Sequence, residues 1–141
     1  MRLWSNIAWL GISAPAVANV SKTFKQDLIN AHHLTVSQAA AVFKILDTSP
    51  SITQGVKPAT HHPVSVATCR ASRLSALTAL SKTDEQTCKH PFMAQIRPAS
   101  STCIDRFEFP NEPCAYPLVW IKPVEAHAIC QAMGKRLCDA Q

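Results

Sequence analysis

Residues 103–138 read CIDRFEFPNEPCAYPLVWIKPVEAHAICQAMGKRLC, and strand patterns give way to a helix pattern along this stretch. Cys103, Phe107 and Phe109 share one side of an extended chain, so residues 103–109 predict a strand with an apolar face. A turn follows at residues 111–113, and the apolar run from Leu118 to Ile121 predicts a second short strand. Two short strands followed by a helix, with prolines in the connections, indicate the α+β class.

The helix predicted at residues 124–133 has the most complete local signals in the chain. Its apolar stripe recurs at i, i+3, i+4 and i+7, as Ala126, Ile129, Cys130 and Met133. A proline stands at the first helical position, and Gly134 suits the left-handed conformation that ends a helix. Lys135 and Arg136 would then lie near the last helical carbonyls, and Leu137 would fold back as an apolar contact.

The acidic residues of the first strand do not form a reactive pair. Asp105 and Glu108 are three positions apart, so on a strand they point to opposite faces. That geometry disfavours a paired general acid and base. No G-x-S-x-G, phosphate-binding loop or H-E-x-x-H motif occurs in the chain. The residues by themselves therefore predict no active site.

The charge of the chain is positive but dispersed. Fourteen Lys and Arg residues against nine Asp and Glu residues give a formal charge of +5. No stretch holds five like charges in a row, and no basic cluster is interleaved with aromatic residues. We therefore expect no nucleic-acid partner. A hydrophobic content of 47% with 16% charged residues also excludes a highly charged disordered tail.

Residues 1–18 show the three parts of a secretory signal peptide. Arg2 supplies the positive start, an apolar run follows at residues 7–12, and the small residues 16–18 are typical of a cleavage site. The alternative is an ordinary N-terminal helix with an apolar face. The run is too short for a stable membrane span, which needs about 20 apolar residues. The expected location is therefore exported, either periplasmic or secreted.

Six cysteines agree with export, because disulfides persist in oxidising compartments. They are Cys69, Cys88, Cys103, Cys114, Cys130 and Cys138. No C-x-x-C spacing occurs, so a structural zinc site is not expected. All six are disulfide candidates, and the sequence leaves their pairing open. Five of the six lie in residues 88–141, so either Cys69 reaches across to that segment or one cysteine lacks a partner.

Residues 19–87 are expected to form a helical extension with a Pro-rich linker. Thr35 or Ser37 can cap a helix whose apolar face consists of Ala39, Val42, Phe43 and Leu46. Residues 48–65 are polar and contain prolines, which is typical of a loop or linker. A second helix is predicted at residues 66–80, with Leu74, Leu77 and Leu80 on one side. The aromatic content is too low for a large separate core, and the pattern predicts no function.

Histidines and one His–Cys pair are the remaining candidates for metal binding or nucleophilic chemistry. Adjacent histidines, as in His32-His33 and His61-His62, point about 100° apart on a helix and to opposite faces of a strand. We interpret them as solvated polar residues. His127 and Cys130 are three apart on the predicted helix, as a base and its nucleophile could be. The place of Cys130 on the apolar stripe favours a half-cystine instead.

The order of motifs in residues 88–141 resembles the sulfatase-modifying-factor superfamily, which includes the formylglycine-generating enzymes and is often labelled nonheme iron enzymes. Members share a strand of the form I-D-x-x-E-x-x-N, here Ile104 to Asn111 with Asp105 and Glu108. A Pro-bearing strand follows, and then E/D-A-x-x-x-C-x-x-x-G-K-R-L. The matched positions of this last motif are Glu125, Ala126, Cys130, Gly134, Lys135, Arg136 and Leu137.

The resemblance implies a C-type-lectin-like α+β fold, of which residues 88–141 are the N-terminal part, truncated at Gln141. In full-length relatives a metal, copper or iron, supports O₂-dependent oxidation of a protein cysteine or small thiol, with a sulfatase or another protein as substrate. The metal and cysteine chemistry of the family resides in the later part of the domain. We therefore assign this chain no catalytic, cofactor-binding or metal-ligating residue, and we expect it to be inactive as given. The matched positions are expected to be structural.

Two other classes of protein stay open at this point. One is a non-catalytic exported binding module stabilised by disulfides, because a fold does not fix a function. The other is a small secreted disulfide-rich protein. A strand pair and one helix would leave an apolar face uncovered, so we expect residues 88–141 alone to fold only marginally.

Overall fold

A computed structural model describes residues 20–56, 59–96 and 101–138 of the chain, so the signal peptide predicted at residues 1–18 lies outside the described residues. The elements in chain order are α1 (Lys22–His32), α2 (Val36–Thr48), β1 (Thr53–Gln54), α3 (Val66–Cys88), β2 (Met93–Gln95), β3 (Cys103–Asp105), β4 (Leu118–Val119) and α4 (Pro123–Ala132). Helices therefore combine with short antiparallel strands, which confirms a mixed α and β architecture compatible with the α+β class.

Hydroxyl caps begin the first two helices. The Ser21 hydroxyl accepts the Phe24 N–H at 3.1 Å, which starts α1. Thr35 caps α2 reciprocally: its hydroxyl accepts the Gln38 N–H at 3.3 Å, and the Gln38 side chain accepts the Thr35 N–H at 3.0 Å. The capped helix predicted from Thr35 is thus confirmed. Its buried face is formed by Ala39, Val42 and Leu46.

The four strands of the described chain pair in two small antiparallel sheets. In one sheet, β1 pairs with β4, with Thr53 opposite Val119. The segment 48–65, predicted as a loop or linker, therefore contains a strand, and Ile52 beside it is 1% exposed. A two-residue strand is too short to show a period in the sequence.

In the second sheet, β2 pairs with β3, with Met93 opposite Asp105 and Gln95 opposite Cys103. The strand predicted over residues 103–109 therefore ends at Asp105. The chain turns there because the Asn111 side chain accepts the Phe107 N–H at 3.1 Å and Asn111 itself takes a left-handed φ of 60°. Asparagine tolerates that conformation better than most residues.

One apolar core draws on residues before and after the boundary predicted between residues 87 and 88. Its buried members are Val20, Phe24, Leu28, Val42, Leu46, Ile52, Leu118, Ile129 and Met133. Side chains of α1, α2 and α4 meet there, so the helices of the predicted extension pack with the helix of the later segment. The shared core supplies the apolar cover that α4 needs.

The third helix is longer than predicted and lies outside this core. It runs over Val66–Cys88 rather than 66–80, and Leu74 and Leu80 on its predicted apolar side are 37% and 44% exposed. Its buried residues are Ser81 and Asp84, close to its C-terminal end. Among the described helices, none combines the length and the apolarity needed to cross a membrane.

Two disulfides hold α3 to the later segment. Cys69 bonds to Cys114, and Cys88 bonds to Cys103. Cys69 therefore reaches across, which was one of the two alternatives left open by the sequence. Cys130 and Cys138 are thiols, although the apolar stripe favoured a half-cystine at residue 130. Disulfides at these positions are compatible with a secreted protein.

The shared core makes a testable prediction about α1. Leu28→Ala removes a fully buried side chain and should lower the free energy of unfolding by about 2–4 kcal/mol. The later segment should be destabilised together with α1. Leu80→Ala on α3 is the matched control, with an expected loss below about 1 kcal/mol because Leu80 is 44% exposed. Urea unfolding followed by Trp fluorescence and by helical circular dichroism measures both variants. A loss for Leu28→Ala no larger than that for Leu80→Ala would contradict a shared core.

Candidate functional site

The residues of the two sequence motifs meet at the Asp105 carboxylate. Its Oδ1 atom accepts a hydrogen bond from Lys135 Nζ at 2.6 Å and another from Asn111 Nδ2 at 3.0 Å. The ion pair is largely shielded from solvent, since the Lys135 and Asp105 side chains are 17% and 29% exposed. Lys135 is 30 residues away from its partner in the chain, so this contact ties the end of α4 to the end of β3.

Asn111 organises the turn on one side of this carboxylate. The residue is 2% exposed, and its Nδ2 also donates to the Phe92 carbonyl at 3.0 Å. Its Oδ1 accepts the Phe107 N–H, so the side-chain amide uses both its donor and its acceptor atoms. A buried amide with every group satisfied fixes the position of the loop around it.

The end of α4 positions Lys135 on the other side. Gly134 has a φ of 73°, the Lys135 N–H bonds to the Cys130 carbonyl at 2.8 Å, and the Gly134 N–H bonds to the Gln131 carbonyl at 3.0 Å. This pair of bonds is a Schellman motif, so the role predicted for Gly134 is confirmed. The Lys135 side chain turns to Asp105 rather than to the last helical carbonyls, because a carboxylate is the stronger acceptor.

His32 completes the polar cluster from α1. It is 6% exposed, and its Nε2 is within hydrogen-bonding distance of the Pro110 carbonyl. A carbonyl only accepts, so Nε2 carries the proton and Nδ1 is free to accept from Lys135 Nζ, which lies 3.4 Å away. Burial lowers the pKa of His32, and the Lys135 charge lowers it further.

The histidine pairs are therefore not uniformly solvated, and the prediction is wrong for His32. His33 and His61 are exposed as expected. His62 is half-buried, stacks on Tyr116 with ring centroids 4.6 Å apart, and lies 2.6 Å from the Gly55 carbonyl. The sequence showed nothing that distinguishes the buried member of each pair, because its partners are distant in the chain.

An open cavity of about 440 Å³ adjoins the Asp105–Lys135 pair. Its wall includes both charged residues, both thiols and the apolar side chains Met93, Ile104, Phe109 and Leu137. The charges of Asp105 and Lys135 neutralise each other, so the Lys135 ammonium is not an unpaired charge in the cavity wall. The wall can therefore make both polar and apolar contacts with a bound molecule. Burial raises the pKa of the Cys130 thiol.

The other predicted positions contribute less to this cluster. Glu108 is exposed, and its backbone carbonyl accepts the Asn111 N–H at 2.8 Å. Ala126 is half-buried on α4, while Arg136 and Leu137 are exposed at the rim of the cavity.

A second ion pair was not predicted. The Arg106 guanidinium donates two hydrogen bonds, of 2.7 and 2.8 Å, to the Asp84 carboxylate, and Asp84 is 4% exposed. Hydrogen bonding to Asp84 raises the pKa of Arg106. No local pattern marks a lone acid near the end of a helix as the partner of an arginine 22 residues further on.

The metal implied by the family resemblance finds no ligand set in the described part of the chain. There, no three His, Cys, Asp or Glu residues are grouped to hold a metal ion. The described residues therefore supply no three-ligand metal site.

No family model, curated protein or solved structure matches this chain significantly. The resemblance to the sulfatase-modifying factors therefore rests on the motif residues.

The ion pair predicts unequal effects of two Asp→Asn substitutions. Asp105→Asn leaves the Lys135 ammonium without its carboxylate and should lower the free energy of unfolding by about 2 kcal/mol. Asp47→Asn is the matched control: Asp47 also bonds a lysine, Lys25 at 2.5 Å, but its side chain is 50% exposed. Its expected loss is below about 1 kcal/mol. Equal losses in chemical denaturation would contradict the structural role of the buried pair.

The lowered pKa of His32 predicts a loss of stability in mild acid. The unfolded chain takes up this proton near pH 6.5, whereas the folded chain takes it up only at lower pH. The contribution of His32 to the free energy of unfolding is therefore fully present above about pH 6.5. It is lost as the pH falls from there through the lowered pKa of the folded state. His32→Gln, which keeps a donor for Pro110, should flatten that part of the profile.

Thermal unfolding scans between about pH 7.5 and pH 5 measure the effect. Asp105, Lys135 and His90 also act on the pKa of His32. The control is therefore an exposed histidine outside that set, and His127→Gln should retain the wild-type slope. A wild-type slope in His32→Gln would exclude His32 as its cause.

Proposed function

We propose that this chain belongs to an exported sulfatase-modifying-factor-like protein and that residues 88–138 supply the N-terminal framework of its C-type-lectin-like domain. In such proteins the full-length members are metal-dependent oxidases that act on a protein cysteine or a small thiol. The framework holds strands and a helix in register and contains none of the reacting groups. We therefore expect the described residues by themselves not to catalyse this oxidation.

The observation that carries the proposal is the convergence of the motif residues on Asp105. The motif I-D-x-x-E-x-x-N contributes the carboxylate and the Asn111 amide, and the motif ending in G-K-R-L contributes the Lys135 ammonium. Gly134 is needed because it permits the turn that presents Lys135. One structural role, the contacts around the Asp105 carboxylate, accounts for residues of both motifs, which lie apart in the sequence. This convergence is the structural observation on which the proposal rests.

A framework role also follows from how the charges are used. Lys135 directs its hydrogens to Asp105 at 2.6 Å and towards His32 at 3.4 Å, while Asp105 is bonded from two sides. Groups bonded to one another in this way hold segments together and offer no free acid, base or nucleophile to a substrate. Two disulfides add a second means of holding the same segments, as in exported domains.

The alternative is a non-catalytic exported binding module. The cavity of about 440 Å³ beside the ion pair favours it, because this volume suits a small molecule. In that case the cavity itself is the functional surface and no oxidase chemistry is attached to it. The two proposals differ in what the coding sequence beyond codon 141 must contain.

We therefore expect the source locus, read in all three frames past codon 141, to encode an acid–Trp pair followed by further cysteines or histidines. A chain extended by that sequence should oxidise a cysteine-containing peptide in air when supplied with copper or iron. Mass spectrometry of the peptide measures the product, and the 141-residue chain with the same metal is the control. The amount of oxidised peptide formed with the 141-residue chain should not exceed the amount formed with the metal ion alone.

Two results would overturn the oxidase proposal. One is a locus without the acid–Trp pair in any frame. The other is an extended chain that folds, binds metal and leaves the peptide unoxidised. Either result leaves the binding module as the better account of the cavity.

A further inference from the structure

We propose that Cys130 and Cys138 form a thiol–disulfide exchange site, in which the two thiols close to an intramolecular disulfide on reaction with a small disulfide such as oxidised glutathione. The inference is independent of the family proposal, because it rests on the positions of the two thiols and on the cavity that they share.

The other four cysteines are already used. Cys69 is bonded to Cys114 and Cys88 to Cys103, which leaves Cys130 and Cys138 as the two thiols of the chain. Both line the same open cavity beside Lys135. Besides burial, a negative charge on Cys138 also acts to raise the pKa of Cys130. Two thiols at one cavity can be oxidised to a disulfide by exchange with a small disulfide that enters it.

The turn after α4 leaves only a short segment of chain between the fixed residue 135 and Cys138. The Lys135 N–H is bonded to the Cys130 carbonyl at 2.8 Å, so residue 135 is fixed beside Cys130. Cys138 is the third residue after Lys135, a span of at most about 10 Å. A disulfide needs Cα atoms about 4.4–6.8 Å apart, which a curled three-residue segment reaches. Residues 136–138 are exposed, so they can rearrange without disturbing the core.

The ion pair stays in place during closure. Lys135 is held by Asp105 at 2.6 Å and by the helix end, and the residues that must move follow it in the chain. The disulfide therefore draws Cys138 across the cavity towards α4 and narrows its mouth. Closure changes access to the cavity without breaking the contact between α4 and β3.

The two thiols have different roles in the exchange. Cys138 is exposed, so its thiolate attacks one sulfur of the small disulfide and expels one thiolate, which leaves a mixed disulfide on Cys138. The Cys130 thiolate then attacks the Cys138 sulfur and expels the second small thiol. The two protein thiols are oxidised, the small disulfide is reduced to two thiols, and two protons pass to those thiols or to solvent. Burial raises the pKa of Cys130, so the second step should accelerate as the pH rises.

The experiment treats the full chain with oxidised glutathione at about pH 7 and about pH 9, followed by acid quenching and alkylation of remaining thiols. Lys135 and Arg136 lie between the two cysteines, so trypsin separates them. The new disulfide appears as the Cys138 peptide linked to the peptide that holds both Cys114 and Cys130, which the Cys69–Cys114 bond already joins to the Cys69 peptide. We expect two alkylatable thiols before treatment and none after it. The linked peptides should accumulate at least several-fold faster at the higher pH.

Single-cysteine variants distinguish the two steps. Cys130→Ser should stop at a stable mixed disulfide on Cys138, and Cys138→Ser should leave Cys130 largely unmodified because it is partly buried. Three results would overturn the proposal. They are a wild-type mixed disulfide on Cys138 that persists at the higher pH with Cys130 still alkylatable, a linkage between two protein molecules, and exchange with the Cys69–Cys114 or Cys88–Cys103 bonds.

Discussion

The ion pair between Lys135 and Asp105 is the contact that ties the second sheet to the end of α4. Buried members of the apolar core come from α1, α2, β4, α4 and their flanking residues, and none comes from β2 or β3. The second sheet therefore cannot be held by the hydrophobic effect of that core. It is attached by Lys135–Asp105, by Arg106–Asp84 and by the Cys88–Cys103 bond. Polar and covalent contacts thus carry the part of the fold that the core does not reach.

This division explains why the polar cluster is complete. A charge that is shielded from solvent and has no partner lowers the stability of the fold strongly. Each charged or polar group of the cluster therefore needs a bonding partner. Asp105 receives two donors, Asn111 uses its amide on three partners, and His32 bonds Pro110 with one nitrogen and faces Lys135 with the other. The neutral form of His32 is part of that match, because a second proton on the ring would face the Lys135 ammonium. The cluster is therefore sensitive to acid at a point where the apolar core is not.

The sequence predicted those features that depend on neighbouring residues. Thr35 as a cap, Gly134 as a left-handed helix end and the apolar face of α2 all follow from spacing and local backbone preference. Contacts between distant segments could not be predicted in the same way. The pairing of β1 with β4 involves two residues on each strand, and a buried His32 looks in sequence like its exposed neighbour. For the site, the motif marked Asp105 and Lys135 as structural, and only the fold showed that they bind each other.

The same geometry separates the two chemistries of this surface. Lys135 and Asp105 are engaged with each other, so they serve the cavity as a fixed wall. Cys130 and Cys138 line the same cavity without a covalent partner, so they are the groups there that can change state. A fixed ion pair next to a reactive pair of thiols lets the thiols react without loosening the sheet that β3 belongs to. Oxidation would then act on access to the cavity, while the framework proposed for residues 88–138 keeps its form.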